Sequence, residues 1–539
     1  MALDRKQKAF RYFPIMPIDA NNIIFEQAIV RLLVLLHTSG KPISRTGKDF
    51  LYADDLVEIL KQNTAHFDGI TDPVRERLMK NWINSDYATS IIEGKGRQGR
   101  PRISNLKPLH ISTIKLLDPR IRSQDRDTSV FLYNVFKGDG GSSAKSFLMD
   151  FLIEGTKKEG SFNLVTDEER FNNLDIETQF LLRILDSFRV DNPSTREKEV
   201  PGFKALCEAQ QRQFFYDIIL ILVYKNNVPR RELFHYLTVL LNFHCALFVM
   251  KTFNQINAIV DTQKAKCGLC KSIAGGIDFN KLCKCDFQTK IFVDLTLGQD
   301  KICDMLSKRS VDVNYNEMYR YFKSHYKLVK IAEFAATKGQ KDLGPEQLMG
   351  FLNHPDLNGH FSYELSRIIA DPDMEDNENL KEILKMEMPA LDKFVEILCN
   401  DPSNWKLRTT NHKKLMTSLC NMNKDDGFLQ GGRGRKRKYV LGNVLLEVLV
   451  QLAVVSADPA KGFKTQPITI VSFVEWLKDR YGIYINEWPN GSDSPETAKA
   501  LTNNFNALKD RLRQLGFYTD LSDASNSQVI KPRFKVEPE

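Results

Sequence analysis

Apolar residues recur along most of the chain at the three- and four-residue spacing of amphipathic helices. The segment Asn22–Thr38 (NIIFEQAIVRLLVLLHT) places its apolar side chains on one helical face, and Gly40 and Pro42 end it. Asp72 followed by Pro73 is typical of a helix start, because Asp can cap the first turn and Pro fits its backbone. The pattern therefore predicts a mainly α, multidomain fold.

The last hundred residues have a pattern of their own, with three helices followed by two short strands. The predicted helices are Leu441–Val455, Thr469–Arg480 and Ser494–Leu515, and the strands lie within Phe517–Phe534. This is the element order of a winged helix, in which the third helix enters the major groove and the hairpin contacts phosphates. We predict a winged-helix-like domain that binds either DNA or a partner protein.

The most apolar stretch is Leu233–Met250 (LFHYLTVLLNFHCALFVM), which follows a shorter apolar run at Phe214–Tyr224. The first run is shorter than the roughly 20 residues that a membrane span needs, and Asp217 interrupts it. We therefore predict a buried helical hairpin, with a membrane hairpin as the alternative. The N-terminal residues do not have the pattern of a secretory signal, which favours the cytoplasm.

Composition changes this picture little. The 539 residues exceed one compact core, and 76 Lys and Arg against 68 Asp and Glu leave a formal charge of +8. That excess is mild for this length, so the distribution of charge is more informative than its sum.

Four cysteines lie close together in a chain whose predicted compartment is reducing. They form a Cys-x2-Cys pair and, twelve residues later, a Cys-x-Cys pair, namely Cys267, Cys270, Cys283 and Cys285. Four thiolates suit tetrahedral Zn²⁺, and no ligand position is obviously left open, so the pattern predicts a structural zinc knuckle. Free buried cysteines or a reducible disulfide pair are the alternatives. The other five are interpreted as core residues: Cys207, Cys245, Cys303, Cys399 and Cys420.

Cationic and amide side chains concentrate in four places that could contact DNA phosphates and base edges. The strongest run follows a glycine-rich stretch and consists of Arg433, Arg435, Lys436, Arg437 and Lys438. The third C-terminal helix offers Asn503, Asn504, Asn506, Lys509, Arg511 and Arg513. The predicted wing offers Lys531 and Arg533, and a glycine-containing loop near the N-terminus offers Lys95, Arg97, Arg100 and Arg102. Solvated linkers and loops are the alternative interpretation of the basic runs.

The recognised catalytic patterns are not convincingly present in the sequence. The segment Lys137–Ser146 resembles a phosphate-binding loop, but Asp139 and Ala144 stand where that motif needs glycine. The nine histidines do not occur in the common metallohydrolase spacings. We predict a protein that is not an enzyme, although a degenerate nuclease site is the alternative.

These patterns divide the chain into six predicted segments. They are an N-terminal helical domain with the basic loop (1–127), a helical core domain with the apolar hairpin (128–258), the zinc knuckle (259–300), a further helical domain (301–423), a basic linker (424–439) and the winged-helix-like domain (440–539).

The segment Phe505–Phe534 (FNALKDRLRQLGFYTDLSDASNSQVIKPRF) is similar to the closing part of accessory proteins in bacterial DNA-modification-linked anti-phage systems. The systems concerned are the methylation-associated and the phosphorothioation-dependent types. The resemblance implies work beside a translocase-type ATPase and other subunits in recognising or restricting invading DNA. Our hypothesis is a non-catalytic, DNA-associated scaffold or adaptor subunit. A stand-alone winged-helix transcriptional regulator and a cryptic nuclease are the alternatives.

Overall fold

The computed structural model forms two compact units. The larger unit comprises Met1–Ile23, Phe203–Phe214 and Val239–Glu539, and the smaller comprises Ile24–Gly202 and Phe215–Thr238. The structure describes residues 6–43, 52–64, 67–92, 102–117, 124–138, 141–158, 164–187, 195–262, 285, 287–370, 378–432, 435–458, 462–489, 491, 494–518 and 529–537.

Helices account for most of the described residues, so the prediction of a mainly α protein is confirmed. The first nine are α1 (Phe25–His37), α2 (Ala53–Gln62), α3 (Pro73–Trp82), α4 (Thr128–Lys137), α5 (Gly141–Ile153), α6 (Glu168–Phe171), α7 (Ile176–Ser187), α8 (Glu208–Leu222) and α9 (Arg230–Thr262). The others are α10 (Lys301–Thr337), α11 (Pro345–Gly350), α12 (Pro355–Ile369), α13 (Glu378–Lys385), α14 (Ala390–Asn400), α15 (Pro402–Leu419), α16 (Asn443–Ala453), α17 (Ile470–Tyr481) and α18 (Pro495–Gln514).

The strands are short and pair two at a time. They are β1 (Ala88–Ile92), β2 (Arg102–Leu106), β3 (Thr156–Lys158), β4 (Leu164–Thr166), β5 (Ile291–Phe292), β6 (Leu429–Gly432), β7 (Arg435–Tyr439), β8 (Val455–Asp458), β9 (Gly462–Thr465), β10 (Ile468–Thr469), β11 (Ile483–Tyr484) and β12 (Val529–Ile530). Pairs β1–β2, β3–β4, β6–β7 and β8–β9 join neighbours in the chain, and β10 pairs with β12; all five are antiparallel. Strand β5 runs parallel to β11, with Ile291 opposite Ile483.

In the smaller unit, α1 packs against α4. Gly40 follows α1 with a φ of +90°, and a Cβ there would meet the Tyr133 hydroxyl at 2.8 Å, so glycine is needed at this turn. The helix end predicted at Gly40 is therefore explained by a close approach. Asp72 caps α3 by accepting hydrogen bonds from the backbone N–H groups of Val74 and Arg75, as its position predicted.

In the larger unit, the 37-residue helix α10 packs against α14, α18 and the β6–β7 pair. Asp300 caps it by accepting hydrogen bonds from the N–H groups of Ile302 and Cys303. In the C-terminal half of α10, His325 is fully buried beside Phe10, and burial lowers the pKa of His325 to about 3. It is therefore a neutral core residue at physiological pH.

The apolar stretch Leu233–Met250 lies in α9, the one described helix long and apolar enough to span a membrane. The apolar window of this helix is 89% buried inside the protein, which accounts for its composition. Its predicted partner run forms most of α8.

Several sequence expectations differ locally from the structure. The stretch interpreted as a basic linker contains the strand pair β6–β7. A turn-forming glycine-rich sequence is compatible with a tight hairpin as well as with a linker. The apolar-periodic stretch Leu380–Asn400 forms parts of two helices, because Pro389 separates α13 from α14.

Candidate nucleic-acid interface

The C-terminal helices α16, α17 and α18 are joined by a small strand pair. Strand β10 lies between α16 and α17 in the chain, and β12 comes after α18; Ile468 pairs with Ile530 and Thr469 with Val529. The β8–β9 hairpin is inserted between α16 and β10. This pair ties the segment before α17 to the segment after α18.

Asn504 fixes the position of α18. Its side chain is fully buried, its Oδ1 accepts a hydrogen bond from Leu295 N at 2.7 Å, and its Nδ2 donates to the carbonyls of Val293 and Ile485 at 2.8 Å each. It therefore ties the helix to the segments that carry β5 and β11. The sequence offered Asn504 as a DNA contact, and the structure corrects this, because every one of these bonds lies in the interior.

The opposite side of α18 faces solvent. Lys499, Asn503, Asn506 and Arg513 are exposed along it, and Lys509 lies beside them with its Nζ 4.8 Å from the Phe505 ring centroid. We call these five residues the α18 face. Their spacing of three to four residues places them on one side of a helix.

Two residues of the α18 face, together with Arg511, also make contacts within the protein. Asn503 donates to Asp300 Oδ2 at 2.9 Å, Arg513 pairs with Asp510 at 2.9 Å, and Arg511 donates to the Leu441 carbonyl at 2.5 Å. Burial lowers the pKa of Arg511, which is a structural residue that links α18 to the segment before α16.

In the predicted wing, Lys531 is exposed. Arg533 is held by Glu447 and by the Leu515 carbonyl, with its guanidinium 4.5 Å from the Phe517 ring centroid. Both predicted wing residues are thus at the surface, and Arg533 is also engaged by contacts within the protein.

The basic run of the β6–β7 pair has an inner and an outer part. Lys438 lies 2.8 Å from Asp294 and 3.0 Å from Asp304, and the Asp294 side chain is fully buried. Burial opposes ionisation of Asp304, but hydrogen bonds from Lys308 and Lys438 hold its pKa below the usual range. Lys438 therefore completes a part-buried ion cluster around Asp294, which corrects its prediction as a DNA contact.

The two preceding residues also divide into one that contacts the protein, Arg437, and one that is exposed, Lys436. Arg437 donates to the Tyr315 hydroxyl and to the Lys413 carbonyl, the latter at 3.4 Å, and so joins β7 to α10 and α15. Lys436 is exposed. Arg435 begins β7 and Arg102 begins β2, whereas Arg433, Lys95, Arg97 and Arg100 lie outside the described residues.

Of the four predicted zinc ligands, Cys285 is the one that lies among the described residues. Cys267, Cys270 and Cys283 lie outside the described residues, while Cys285 forms hydrogen bonds with Cys207 and Lys251. Lys251 Nζ is 3.2 Å from Cys207 Sγ, and its residue is 7% exposed. The bond with Cys285, together with burial, raises the pKa of the Cys207 thiol. Among the described residues, no group of three or more candidate metal ligands is found.

The sequence missed Cys207 and Lys251 because they are remote from the cysteine motif in the chain. Lys499 was missed as well, although it stands four residues before Asn503 and helical spacing could have added it.

Comparison with protein-family models matches residues 5–534 to the family described as methylation-associated defense system protein MAD7. The chain belongs to this family. The resemblance seen in the C-terminal sequence is thereby confirmed, and of the two types of system considered, the match is to the methylation-associated one. Comparisons with curated proteins and with solved structures gave no match. Members of the MAD7 family are proteins of a defence system, so this chain is a defence-system subunit.

Proposed function

We propose that this MAD7-family chain is a non-catalytic, DNA-associated scaffold or adaptor subunit of its defence system. Duplex DNA binds at the α18 face, with Lys531 of the wing and Lys436 of β7 as further phosphate contacts. The observation that supports this most is the exposed polar and cationic side of α18 in a helix whose other side is fixed by Asn504. A translocase-type ATPase is the proposed partner, and the cytoplasm the proposed location.

The contrast between the buried side and the exposed side of α18 supports a binding role. A helix that presents side chains to DNA must be held rigidly, because base readout depends on placing donors and acceptors within hydrogen-bonding distance. Three interior hydrogen bonds from Asn504 and the buried side chains of Leu508 and Leu512 provide that support. Asn506 offers an amide that can pair with adenine, and Lys499 and Arg513 offer charge for phosphates.

The test is binding of the full chain to duplex DNA across a salt series. Lys499→Ala, Lys509→Ala and Arg513→Ala are combined in one variant, which we expect to lower the magnitude of the slope of log K against log[salt] by about 3. The matched control removes three exposed cations elsewhere in the same unit, Lys341→Ala, Lys381→Ala and Lys385→Ala. Equal slopes for wild type and the α18 variant would reject this surface, and no binding by wild type at low salt would reject DNA as the ligand.

We also propose a structural zinc ion bound by the cysteine knuckle. Cys285 supports it, since its sulfur lies beside that of Cys207, and paired sulfurs suit a soft, tetrahedral metal ion. Lys251 would offset part of the negative charge of a zinc thiolate site. We expect about one zinc ion per purified chain by elemental mass spectrometry. Cys285→Ala should lose most of it, whereas Cys245→Ala, which removes a fully buried thiol of α9, should retain it. Zinc-free wild type, purified with zinc present, would refute the proposal.

A further inference from the structure

Helix α15 carries an unusual charge pattern for a helix on the surface of the larger unit. From Pro402 to Leu419 it has no acidic residue, but it contains Lys406, Arg408, Lys413 and Lys414. Arg408 is used internally, because it donates to the Tyr326 hydroxyl and the Lys8 carbonyl. Lys406 and Lys414 are exposed, and Lys413 is half-buried. The surface of α15 is therefore cationic without acidic residues of its own.

Aromatic rings lie among these lysines. Trp405 of α15 is half-buried and its ring centroid is 5.9 Å from that of Tyr319 on α10. Lys413 Nζ lies 5.7 Å from the Tyr319 ring centroid and 6.0 Å from that of Tyr315. The α15 surface is defined here by Trp405, Lys406, Lys413, Lys414, Tyr315 and Tyr319.

The β6–β7 pair extends the same surface. Arg437 contacts both Tyr315 and the backbone of Lys413, so β7 adjoins the α15 surface. Along α15, Trp405 and Lys413 are about 12 Å apart by the rise of a helix, and the Tyr319 ring lies near both. These rings and this cation thus extend over a length that exceeds one nucleotide.

We propose that the α15 surface binds single-stranded nucleic acid. Half-buried rings set among lysines fit exposed bases, which stack on aromatic side chains while phosphates pair with the cations. In a duplex the base faces are stacked on one another and cannot reach such rings, so the combination favours a single strand. This inference does not depend on the duplex site on α18, since it concerns different residues. The shared chemistry is an unpaired base with its phosphate, supplied by either DNA or RNA.

The experiment measures binding of the full chain to fluorescein-labelled 20-nucleotide oligo(dT), oligo(U) and a 20-base-pair duplex by fluorescence anisotropy. Trp405→Leu keeps apolar bulk against α10 but removes the stacking ring, and we expect it to weaken binding of the single strands about fivefold or more. Tyr363→Leu, which removes a 64% exposed ring on α12, is the matched control and should have no effect. Thermal unfolding of each variant checks that the fold is retained.

Two further measurements separate stacking from a structural effect. Lys406→Ala with Lys414→Ala should lower the magnitude of the salt slope for single strands by about 1.4, while Lys381→Ala with Lys385→Ala should leave it unchanged. Oligo(dT) should quench tryptophan emission in wild type but not in Trp405→Leu. Tighter binding of oligo(U) than of oligo(dT), or the reverse, identifies the source of the strand. Wild-type affinity in a folded Trp405→Leu variant, or no single-strand binding by wild type at low salt, overturns the inference.

Discussion

Strand β7 and helix α18 are two basic elements of the larger unit, and they use their cations differently. In β7, the adjacent residues Arg437 and Lys438 both turn into contacts with the protein, and Lys436 stays at the surface. In α18, the buried residues repeat on one side, so that the exposed cations keep the other. A strand packed between neighbours engages side chains on both of its faces, whereas a packed helix engages one side. A dense run of cations along a strand is therefore weaker evidence of a binding surface than cations spaced along one side of a helix.

The largest effect that this comparison predicts is on stability. Lys438→Met removes the ammonium that faces Asp294 and Asp304 and leaves the buried Asp294 carboxylate without its cation. We expect a loss of about 3–5 kcal/mol in the free energy of unfolding, measured with urea. The matched change Lys436→Met, two residues earlier in the same strand, should alter it by less than about 0.5 kcal/mol. Similar losses for both variants would contradict the division of β7 into inner and outer cations.

The pH dependence of the stability of Lys438→Met tests the same ion cluster. Burial opposes ionisation of Asp304, but hydrogen bonds from Lys308 and Lys438 hold its pKa below the usual value. A carboxyl group with a lowered pKa in the folded state contributes stability above its unfolded pKa, near 4, and this contribution is lost as the pH falls through the folded pKa. Wild type should therefore lose more stability than Lys438→Met between pH 5 and pH 2. A constant difference between the two unfolding curves over this range would argue against the cluster.

The interior side of α18 should be the next most sensitive. Asn504→Ala leaves the N–H of Leu295 and the carbonyls of Val293 and Ile485 without their side-chain partner. Each such buried group costs about 1 kcal/mol or more, so we expect a loss of about 3 kcal/mol in the free energy of unfolding. Asn506→Ala, on the exposed side, should change it by less than about 0.5 kcal/mol. Equal stability of Asn504→Ala and Asn506→Ala would contradict the conclusion that Asn504 fixes the position of α18.

The sequence was sufficient for features that depend on local periodicity. Helix α1 ends just before Gly40 and helix α3 begins after Asp72, as these residues predicted, because caps act within a few residues. Ser494 also precedes α18, but its hydroxyl bonds to Glu496 instead of capping the backbone. Local signals thus place helix boundaries well, even where the predicted capping bond is absent.

Long-range contacts could not be predicted in this way. Lys438 meets Asp294 across 144 residues, and Asn504 meets Leu295 across 209. A cation that will pair with a distant carboxylate has the same local pattern as one that will stay in solvent. For this reason the sequence identified the basic segments but assigned Lys438, Arg511 and Asn504 to DNA, while the structure uses them inside the protein. Cys207 and Lys251 were missed for the same reason, since tertiary structure alone brings them to Cys285.

The smallest predicted effect tests the outer cation of β7 directly. If Lys436 contacts a phosphate, Lys436→Ala should lower the magnitude of the salt slope for duplex binding by about 0.9 and leave stability unchanged. Arg437→Ala should instead weaken the link from β7 to Tyr315 and Lys413, so its main effect should be a lower unfolding temperature. Affinity across the salt series and thermal unfolding of the two variants separate these roles. A change in slope for Arg437→Ala at unchanged stability, with none for Lys436→Ala, would reverse the assignment, because the side chain engaged in the protein would then be the one that meets DNA.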